Sequence, residues 1–481
     1  MLTFEDRRKL KKVDFETLKK NFVLGTLTIE IPVSNNRIIY TDSLEKIEEN
    51  VVYVLEDPLL YQGKVERIDF SGDHPIFNRH HLVFKEYESD FFYIHSNSLI
   101  LKFDIFALIY SSILKEFQFT KRDDFEKVKL LRKKPYLERI LLEIGKTVRE
   151  FFLKKNGYYL EIQRREPFLL LTFDVDRIRY FDWKKDIYYG IKKNFFKDEF
   201  SSQYFKIKKN CKTKDPWNRI GEIQKILEEN CLKATFYIFA KKKDIFTTRY
   251  SYKESEKLFK KLIKKYVVGL HLSYESFLSE NMIMDEVEKF KSITDKESID
   301  VRFHFLNRLT EKHVEIFKKL NIKTDSSIGD RKSSSFFTGF ANPVFLDKDL
   351  VEFPVISMDS ALNLEEMRGI KFTESIEQVL IEIKNLKGVF NFIFHPSSLD
   401  RFTYEGYSKY LFEIIKLTRE KEFKSVSIDE LKKILKQREE SVKIEGKSFF
   451  VDNLTDYDLK FYMKDKVFVE KELKFNFKEV I

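Results

Sequence analysis

From residue 167 onward, apolar runs of strand length alternate with stretches whose apolar residues recur at helical spacing. That alternation is the pattern of parallel strands joined by crossover helices. "PFLLLTF" (167–173) is the first run, and "DPWNRIGEIQKILEEN" (215–230) places Ile220, Ile223, Ile226 and Leu227 at helical spacing. "KATFYIF" (233–239) reads as a strand, "YKESEKLFKKLIKKY" (252–266) as a helix and "VVGLHL" (267–272) as a strand. The unit repeats through "DVRFHF" (300–305), "KHVEIFKKL" (312–320), "IKTDSS" (322–327), "LVEFPVIS" (350–357), "ESIEQVLIEIKNL" (374–386) and "GVFNFIFH" (388–395). A helix over 404–420 leads to the strand "FKSVS" (423–427), where Ser427 and Glu430 form a capping box for "IDELKKILKQ". Seven or eight such units are enough to close a barrel, so an α/β barrel is expected over 165–438.

The flanks read differently. Residues 1–160 mix strand patterns such as "TLTIEIPV" (26–33) and "NVVYVLE" (50–56) with a helix around 104–117, which predicts a separate α+β domain. The tail over 441–481 alternates apolar and polar residues at period two and predicts a small β appendage. A chain of 481 residues exceeds one typical core, in keeping with several domains.

Composition narrows the class. At 43% hydrophobic and 35% charged residues the chain is globular rather than disordered. The most apolar candidate span, 99–114, contains Lys102 and Asp104 and is too short and polar to cross a bilayer, and the amino terminus is charged where a signal peptide is apolar. A soluble, cytoplasmic protein is expected. The two cysteines, Cys211 and Cys231, make neither a disulfide framework nor a CxxC metal knuckle, so any metal must be held by histidine and carboxylate. The net charge of +10 is modest, but residues 183–215 carry ten lysines against four acids, interleaved with aromatics. Such a stretch suits a solvated insertion, an anionic sugar or nucleic acid. Nucleic acid is ranked last, since no recognition motif accompanies it and it explains none of the strand-end chemistry.

Titratable residues gather at strand ends. Asp174 and Asp176 follow "FLLLTF", His271 closes "VVGLH", Arg302 and His304 sit in "VRFHF", Asp325 ends "IKTD" and His395 ends "VFNFIFH". In a parallel barrel all of these converge on the face where such folds carry active sites. His74, His80, His81 and His95 lie in polar amino-terminal segments, and His313, at a helix start, is expected at the surface. Tyr274 and Asp325 either line the pocket or are structural.

In order along the chain, "TFDVD" (172–176), "KATFYIFA" (233–240), "VGLHLSYE" (268–275), "VRFHF" (301–305), "FNFIFH" (390–395) and "KSVSIDEL" (424–431) resemble the motifs of the polysaccharide deacetylases. These are carbohydrate esterases with the chitooligosaccharide deacetylase homology domain. The resemblance spans about 165–436, and "FDIFALIYSSILKEFQF" (103–119) is similar to the leading domain of a bacterial subgroup. It implies an irregular (β/α)7-8 barrel and a divalent metal, zinc in the usual case, with manganese or cobalt as alternatives. It implies Asp174 as general base, Arg302 orienting it, and His395 protonating the leaving amine. Asp176, His271 and Glu275 are the implied metal ligands, with Asp176 one position beyond the usual metal-binding aspartate, whose place Val175 takes. His304 is expected as a strand residue packing beside them. Asp359 would keep His395 charged, or simply sit in a turn. At Ala341 the subgroup would carry an arginine.

The resulting expectation is a metal-dependent hydrolase that removes an N-acetyl group from a sugar unit of a bacterial glycan or glycan precursor, the sugar being anionic if the basic insertion serves it. The alternative is a non-catalytic glycan-binding or assembly protein on a degenerate deacetylase barrel, for which Val175 and Ala341 speak.

Overall fold

The computed structural model describes residues 132–440 apart from 157, 182, 197–198, 211–214 and 241–251. Elsewhere it describes 3–6, 8, 14–26, 37–41, 43–44, 47–55, 64–65, 67–71, 74–78, 92–101, 104–114, 118–119, 442–445, 448–451, 456–463, 466–470 and 474–476. The strand expected over 26–33 lies almost wholly outside the described residues.

The centre is a curled, mostly parallel sheet. Its strands are β1 (Phe168–Val175), β2 (Thr235–Ile238), β3 (Val267–Leu272), β4 (Ile299–Phe303), β5 (Ile322–Asp325), β6 (Val344–Asp347), β7 (Leu350–Glu352), β8 (Ser357–Met358), β9 (Val389–Phe394) and β10 (Lys424–Val426). The ladder runs β6-β7-β5-β4-β3-β2-β1-β9-β8, and β10 lies beside the first half of β1 while β2 lies beside the second half. All pairs are parallel except the β6–β7 hairpin, an element absent from the sequence reading. Strand pairing does not close the sheet. The chain between β7 and β8 spans the gap with single bonds: Val355 N–H donates to Ile328 O and Ile356 N–H to Asn391 O, at 2.8 and 3.0 Å.

The helices are α1 (Trp183–Phe196) and α2 (Glu199–Asn210), which pack on each other in the insertion after β1, then α3 (Ile220–Glu229), α4 (Tyr252–Leu262), α5 (Glu280–Thr294), α6 (Glu311–Lys319), α7 (Asp359–Met367), α8 (Phe372–Leu386) and α9 (Ser408–Glu420) around the sheet, and α10 (Ile428–Glu440). Because both faces of β1 are covered, its apolar run shows no alternation, and all eight residues are buried. Phe168 and Leu170 point inward, with Tyr237, Val351, Phe353, Val389 and Val426, to form an apolar floor. Leu169, Leu171, Phe173 and Val175 point outward into the helix-side core. Helix α10 seals the floor with Ile428, Leu431, Ile434 and Leu435, starting from the Ser427–Glu430 capping box, in which Ser427 N–H donates to the Glu430 carboxylate at 3.0 Å. His313 is only 8% exposed, not at the surface. As residue N3 of α6 it turns back to the Thr310 backbone and reaches Phe277 O at 2.9 Å, a capping arrangement that buries the ring.

In the amino-terminal region a five-stranded sheet has the order 3–6, 37–41, 51–55, 98–101, 92–95. Its pairing is parallel except for the last hairpin. This is an α/β rather than a segregated α+β arrangement, because the helix Phe15–Gly25 returns the chain between the first two strands. The region is built into the rest. Asn21 exchanges two hydrogen bonds with the backbone of Phe345 in β6, at 2.7 and 2.8 Å. At the start of the helix Tyr136–Asn156, Leu137 and Glu138 N–H both donate to Gly339 O, while the Glu138 carboxylate accepts from Ala341 N–H at 2.8 Å and from the Asn342 amide. The strand Tyr158–Arg164 pairs antiparallel over its whole length with Tyr457–Met463 from the tail.

Burial pushes the Glu138 carboxyl up to about 7, against the pull of its Ala341 N–H bond and the Arg164 charge. A carboxyl whose folded pKa lies above its unfolded value holds extra protons in the native state, so its contribution to stability falls as pH rises from about 4.5 through about 7. Glu138→Gln is expected to flatten that part of the stability profile, read as the denaturant midpoint between pH 5 and 8. An unchanged slope would show that Glu138 is not the titrating group.

Candidate metal centre

The inward positions of β1 continue upward from the apolar floor as Thr172, Asp174 and, just past the strand, Asp176. Side chains two apart share a face of a strand, which explains why two carboxylates one residue apart lie together while Val175 between them is fully buried on the helix side. The same rule puts Arg302 and His304 on one face at the end of β4.

Arg302 is fully buried, and every arm of its guanidinium is used. Nη1 donates to Asp174 Oδ1 at 2.7 Å and Thr172 Oγ1 at 2.9 Å, Nη2 to Ser326 Oγ at 2.7 Å, and Nε to Ser326 O at 2.8 Å. The guanidinium lies 4.2 Å from the Tyr237 ring centroid. Gly269, inward on β3, makes room for that ring: a Cβ there would sit 2.7 Å from Tyr237 Cε1 and 2.8 Å from Asp300 O.

Three side chains meet above Arg302. Asp176, His271 and His304 each offer one donor atom, all within 4.8 Å of one another. His271 Nε2 stands 3.2 Å from Asp176 Oδ1 and 3.7 Å from Asp174 Oδ2, and His304 Nε2 stands 3.4 Å from Asp176 Oδ2. The Nδ1 of His271 is 2.8 Å from the Arg302 carbonyl, which can only accept, so Nδ1 carries the proton and Nε2 presents a lone pair. Asp176 Oδ1 and His271 Nε2 are buried without a hydrogen-bond partner, as is His304 Nδ1. Buried polar atoms left unsatisfied are costly, and a cation between Asp176, His271 and His304 would satisfy the first two of these atoms. Burial works to raise Asp176, but His304, His271 and His395 outweigh it and hold its carboxyl well below the usual range. Burial works to lower His271, but Asp174 and Asp176 carry it upward. The His271 shift reports the carboxylates beside it and the Asp176 shift the imidazoles beside it, so acids and imidazoles face one another in a single corner.

Across the site, Asp359 holds His395. Its Oδ1 lies 2.8 Å from His395 Nδ1 and its Oδ2 accepts from His395 N–H at 2.9 Å, while His395 Nε2 reaches to 3.5 Å from Asp176. Burial opposes the charge on His395, yet Asp359, with Asp176 and Asp174, raises its pKa to about 10. A cavity of about 210 Å³ opens over Asp174, Asp176, His304 and His395.

The structure therefore brings together Asp174, Asp176, His271, Arg302 and His395. Glu275 is not among the clustered donors: it begins a 3-10 turn after β3, half-buried, and the third member of the group is His304. A four-residue spacing serves a helix, but His271 ends a strand, and the chain turns away before Glu275. The signal for His304 was in the sequence, as the same i, i+2 repeat that pairs Asp174 with Asp176. Asp325 is buried with its carboxylate bonded to Ser327 and does not line the cavity. Tyr274 is 38% exposed and meets the Phe305 ring at 5.7 Å. Ala341 lies at the opposite end of the sheet, where its carbonyl accepts from Val389 N–H at the start of β9. Six residues of strand separate that point from His395, about 20 Å.

No family model matches the chain, and no curated protein matches it. Among solved structures it is similar to a proposed polysaccharide deacetylase from Mycobacterium smegmatis, with 12% identity and a TM-score of 0.29 over 55% of this chain and 97% of that one. It is also similar to a mutant of a CE4 family pseudoenzyme, with 14% identity and a TM-score of 0.28 over 56% and 68% of the two chains. A third likeness is to PuuE allantoinase, with 9% identity and a TM-score of 0.33 over 52% and 83%. These likenesses are slight, and the functional reading rests on the geometry of the site.

Removal of one donor tests the ligand set directly. His304→Ala, His271→Ala and Asp176→Asn are each expected to weaken Co²⁺ or Zn²⁺ binding by more than the roughly 10–100-fold typical of outer-shell changes, whereas Glu275→Gln leaves it within a few-fold. Metal content after dialysis and the visible spectrum of the Co²⁺ form report the result. Loss of metal with Glu275→Gln and retention with His304→Ala would reverse the assignment.

Proposed function

We propose that this chain is a metal-dependent hydrolase that removes an N-acetyl group from a sugar unit of a bacterial glycan or glycan precursor, on an irregular (β/α)7-8 barrel. The observation that carries the reading is the pairing of two differently held groups across one cavity: Asp174, tied to a buried arginine, and His395, tied to a buried aspartate.

Asp176, His271 and His304 would hold a divalent ion, zinc or another metal suited to imidazole and carboxylate, which when bound lowers the pKa of water and polarises an amide carbonyl. The remaining chemistry belongs to the chain's own side chains. Asp174, held and aimed by the bond from Arg302 Nη1, takes the proton of the attacking water as the O–C bond forms. His395 carries a proton at neutral pH because Asp359 stabilises the imidazolium, and its Nε2 faces the cavity. As the C–N bond breaks, that proton passes to the departing nitrogen, which would otherwise leave as a poor anionic group. Acetate and a free amine result. Asp174 and His395 both lie at the carboxy-terminal rim of the sheet, as base and acid must to serve one bond.

Val175 and Ala341 favoured a degenerate barrel. Val175 faces the helix-side core and Ala341 sits at the far end of the sheet, so neither leaves a gap at this rim.

Acetate release from N-acetylhexosamine substrates tests the reading. Asp174→Asn is expected to lower kcat by about 10²–10⁴ with a smaller change in KM. Asp359→Asn, which leaves His395 without its charged partner, is expected to lower kcat in the same sense. Equal turnover in Asp174→Asn would remove the base assignment, and a metal-loaded parent chain without turnover on any N-acetylated sugar would remove the reading.

A further inference from the structure

The carboxylates that line the cavity are all balanced from within. Asp174 is paired with Arg302, Asp359 with His395, and Asp176 faces His271, His304 and His395. Two cations lining the same cavity are not balanced: Arg177 and Arg331. Among the described residues no carboxylate lies within ion-pair distance of either guanidinium.

Both side chains are held nonetheless. Arg177 follows Asp176, its guanidinium 5.2 Å from the Trp217 ring centroid and its Nη1 3.5 Å from Tyr404 Oη. Trp217 is itself anchored, with Nε1 donating to Thr403 Oγ1 at 2.8 Å. Arg331 lies beyond the end of β5, with its guanidinium 5.5 Å from the Phe305 ring centroid. Phe305 and the next residue, Leu306, occupy the left-handed region at φ 71° and 47°. Such a conformation costs non-glycine residues about 1–3 kcal/mol each and persists where the surroundings impose it. Here it sets the Phe305 ring against His304, at a centroid distance of 3.8 Å, and leaves it 38% exposed at the mouth. Strands β1 and β5 are four steps apart along the ladder, so the two arginines come from different arcs of the rim.

We infer that Arg177 and Arg331 form an anion subsite that binds a phosphate group carried by the N-acetylated sugar. Two planar guanidiniums with no carboxylate partner among the described residues match the two negative charges and the oxygens of a phosphate monoester, which such groups bind through charge-assisted, often bidentate bonds. Arg177 is half-buried, so its bond to an anion gains in strength over one at an open surface, whereas the exposed Arg331 would meet the anion from the mouth. The subsite relocates the recognition of negative charge from the lysine-rich insertion to the site itself. The identity of the ligand as a substrate rests on the hydrolase reading; the subsite does not.

Calorimetric titration of the metal-loaded full chain with N-acetylglucosamine and with N-acetylglucosamine 1-phosphate tests the inference. The phosphorylated sugar is expected to bind at least about tenfold more tightly. Arg177→Gln/Arg331→Gln should reduce that advantage to less than about threefold while thermal midpoints match the parent, and Arg331→Gln alone should give an intermediate value. Equal affinities, no measurable binding of either sugar, or an advantage that survives the double substitution would overturn the subsite. Tighter binding of an N-acetylated sugar acid than of the phosphorylated sugar would overturn the choice of phosphate. Phosphate-dependent binding without acetate release would sink the hydrolase reading and leave the subsite standing, and acetate release with charge-independent binding would do the reverse.

Discussion

A buried guanidinium must find a partner for every N–H it carries, because nothing else inside a protein will accept them. Arg302 places four of its five N–H groups, on Asp174 and Thr172 of β1 and on both the hydroxyl and carbonyl of Ser326 beyond β5, and sets its guanidinium 4.2 Å from the ring centroid of Tyr237 on β2. Ser326 Oγ in turn accepts from Asn391 on β9 at 2.9 Å. One side chain on β4 thereby sets the spacing of four other strands. Its own carbonyl fixes His271 on β3 as the tautomer with a free Nε2. Removal of one member of such a buried pair typically costs about 3–5 kcal/mol, because the other charge stays behind unpaired. The ion pair is therefore both the girder of the upper barrel and the device that holds and aims a carboxylate at the cavity.

The layers inside the sheet follow from that constraint. Below Arg302 the inward residues are apolar and α10 closes the end. Above it they are acids and imidazoles, and the cavity opens. Water is kept from the floor and admitted only at the rim, so charge on Asp174, Asp176 and His395 is felt in a setting of low polarity where each partner counts for more. Asp359 repeats the logic of Arg302 with the signs reversed: a fully buried charge holds an oppositely charged group at the cavity wall.

The flanking segments tighten the same frame. Asn21 and Glu138 tie amino-terminal helices to β6 and to the 339–342 loop, and the antiparallel pairing of 158–164 with 457–463 brings the tail beside the segment that leads into β1. In the insertion after β1, Tyr204 is buried among Tyr180, Phe181 and Tyr189, so these aromatics serve packing in a helical hairpin. Asp215 accepts from the N–H groups of Tyr180, Phe181 and Trp217, and so holds the segment that carries Arg177. Among the described residues, no helix is long and apolar enough to cross a membrane.

The amino-acid sequence by itself determined the order of strands and helices after residue 167 and the placing of Asp174, His271, Arg302 and His395 at strand ends, because periodicity and the end of an apolar run are local properties. It also carried the Asp174/Asp176 and Arg302/His304 repeats, whose common face follows from the pleat. Only the tertiary structure decided that His304 rather than Glu275 joins Asp176 and His271, that Ala341 lies far from the rim, that His313 is buried, and that Arg177 and Arg331 share the cavity without acidic partners among the described residues. Those outcomes depend on which strands become neighbours and where loops turn back, and distances between segments a hundred residues apart are set by packing around a shared core, not by spacing along the chain.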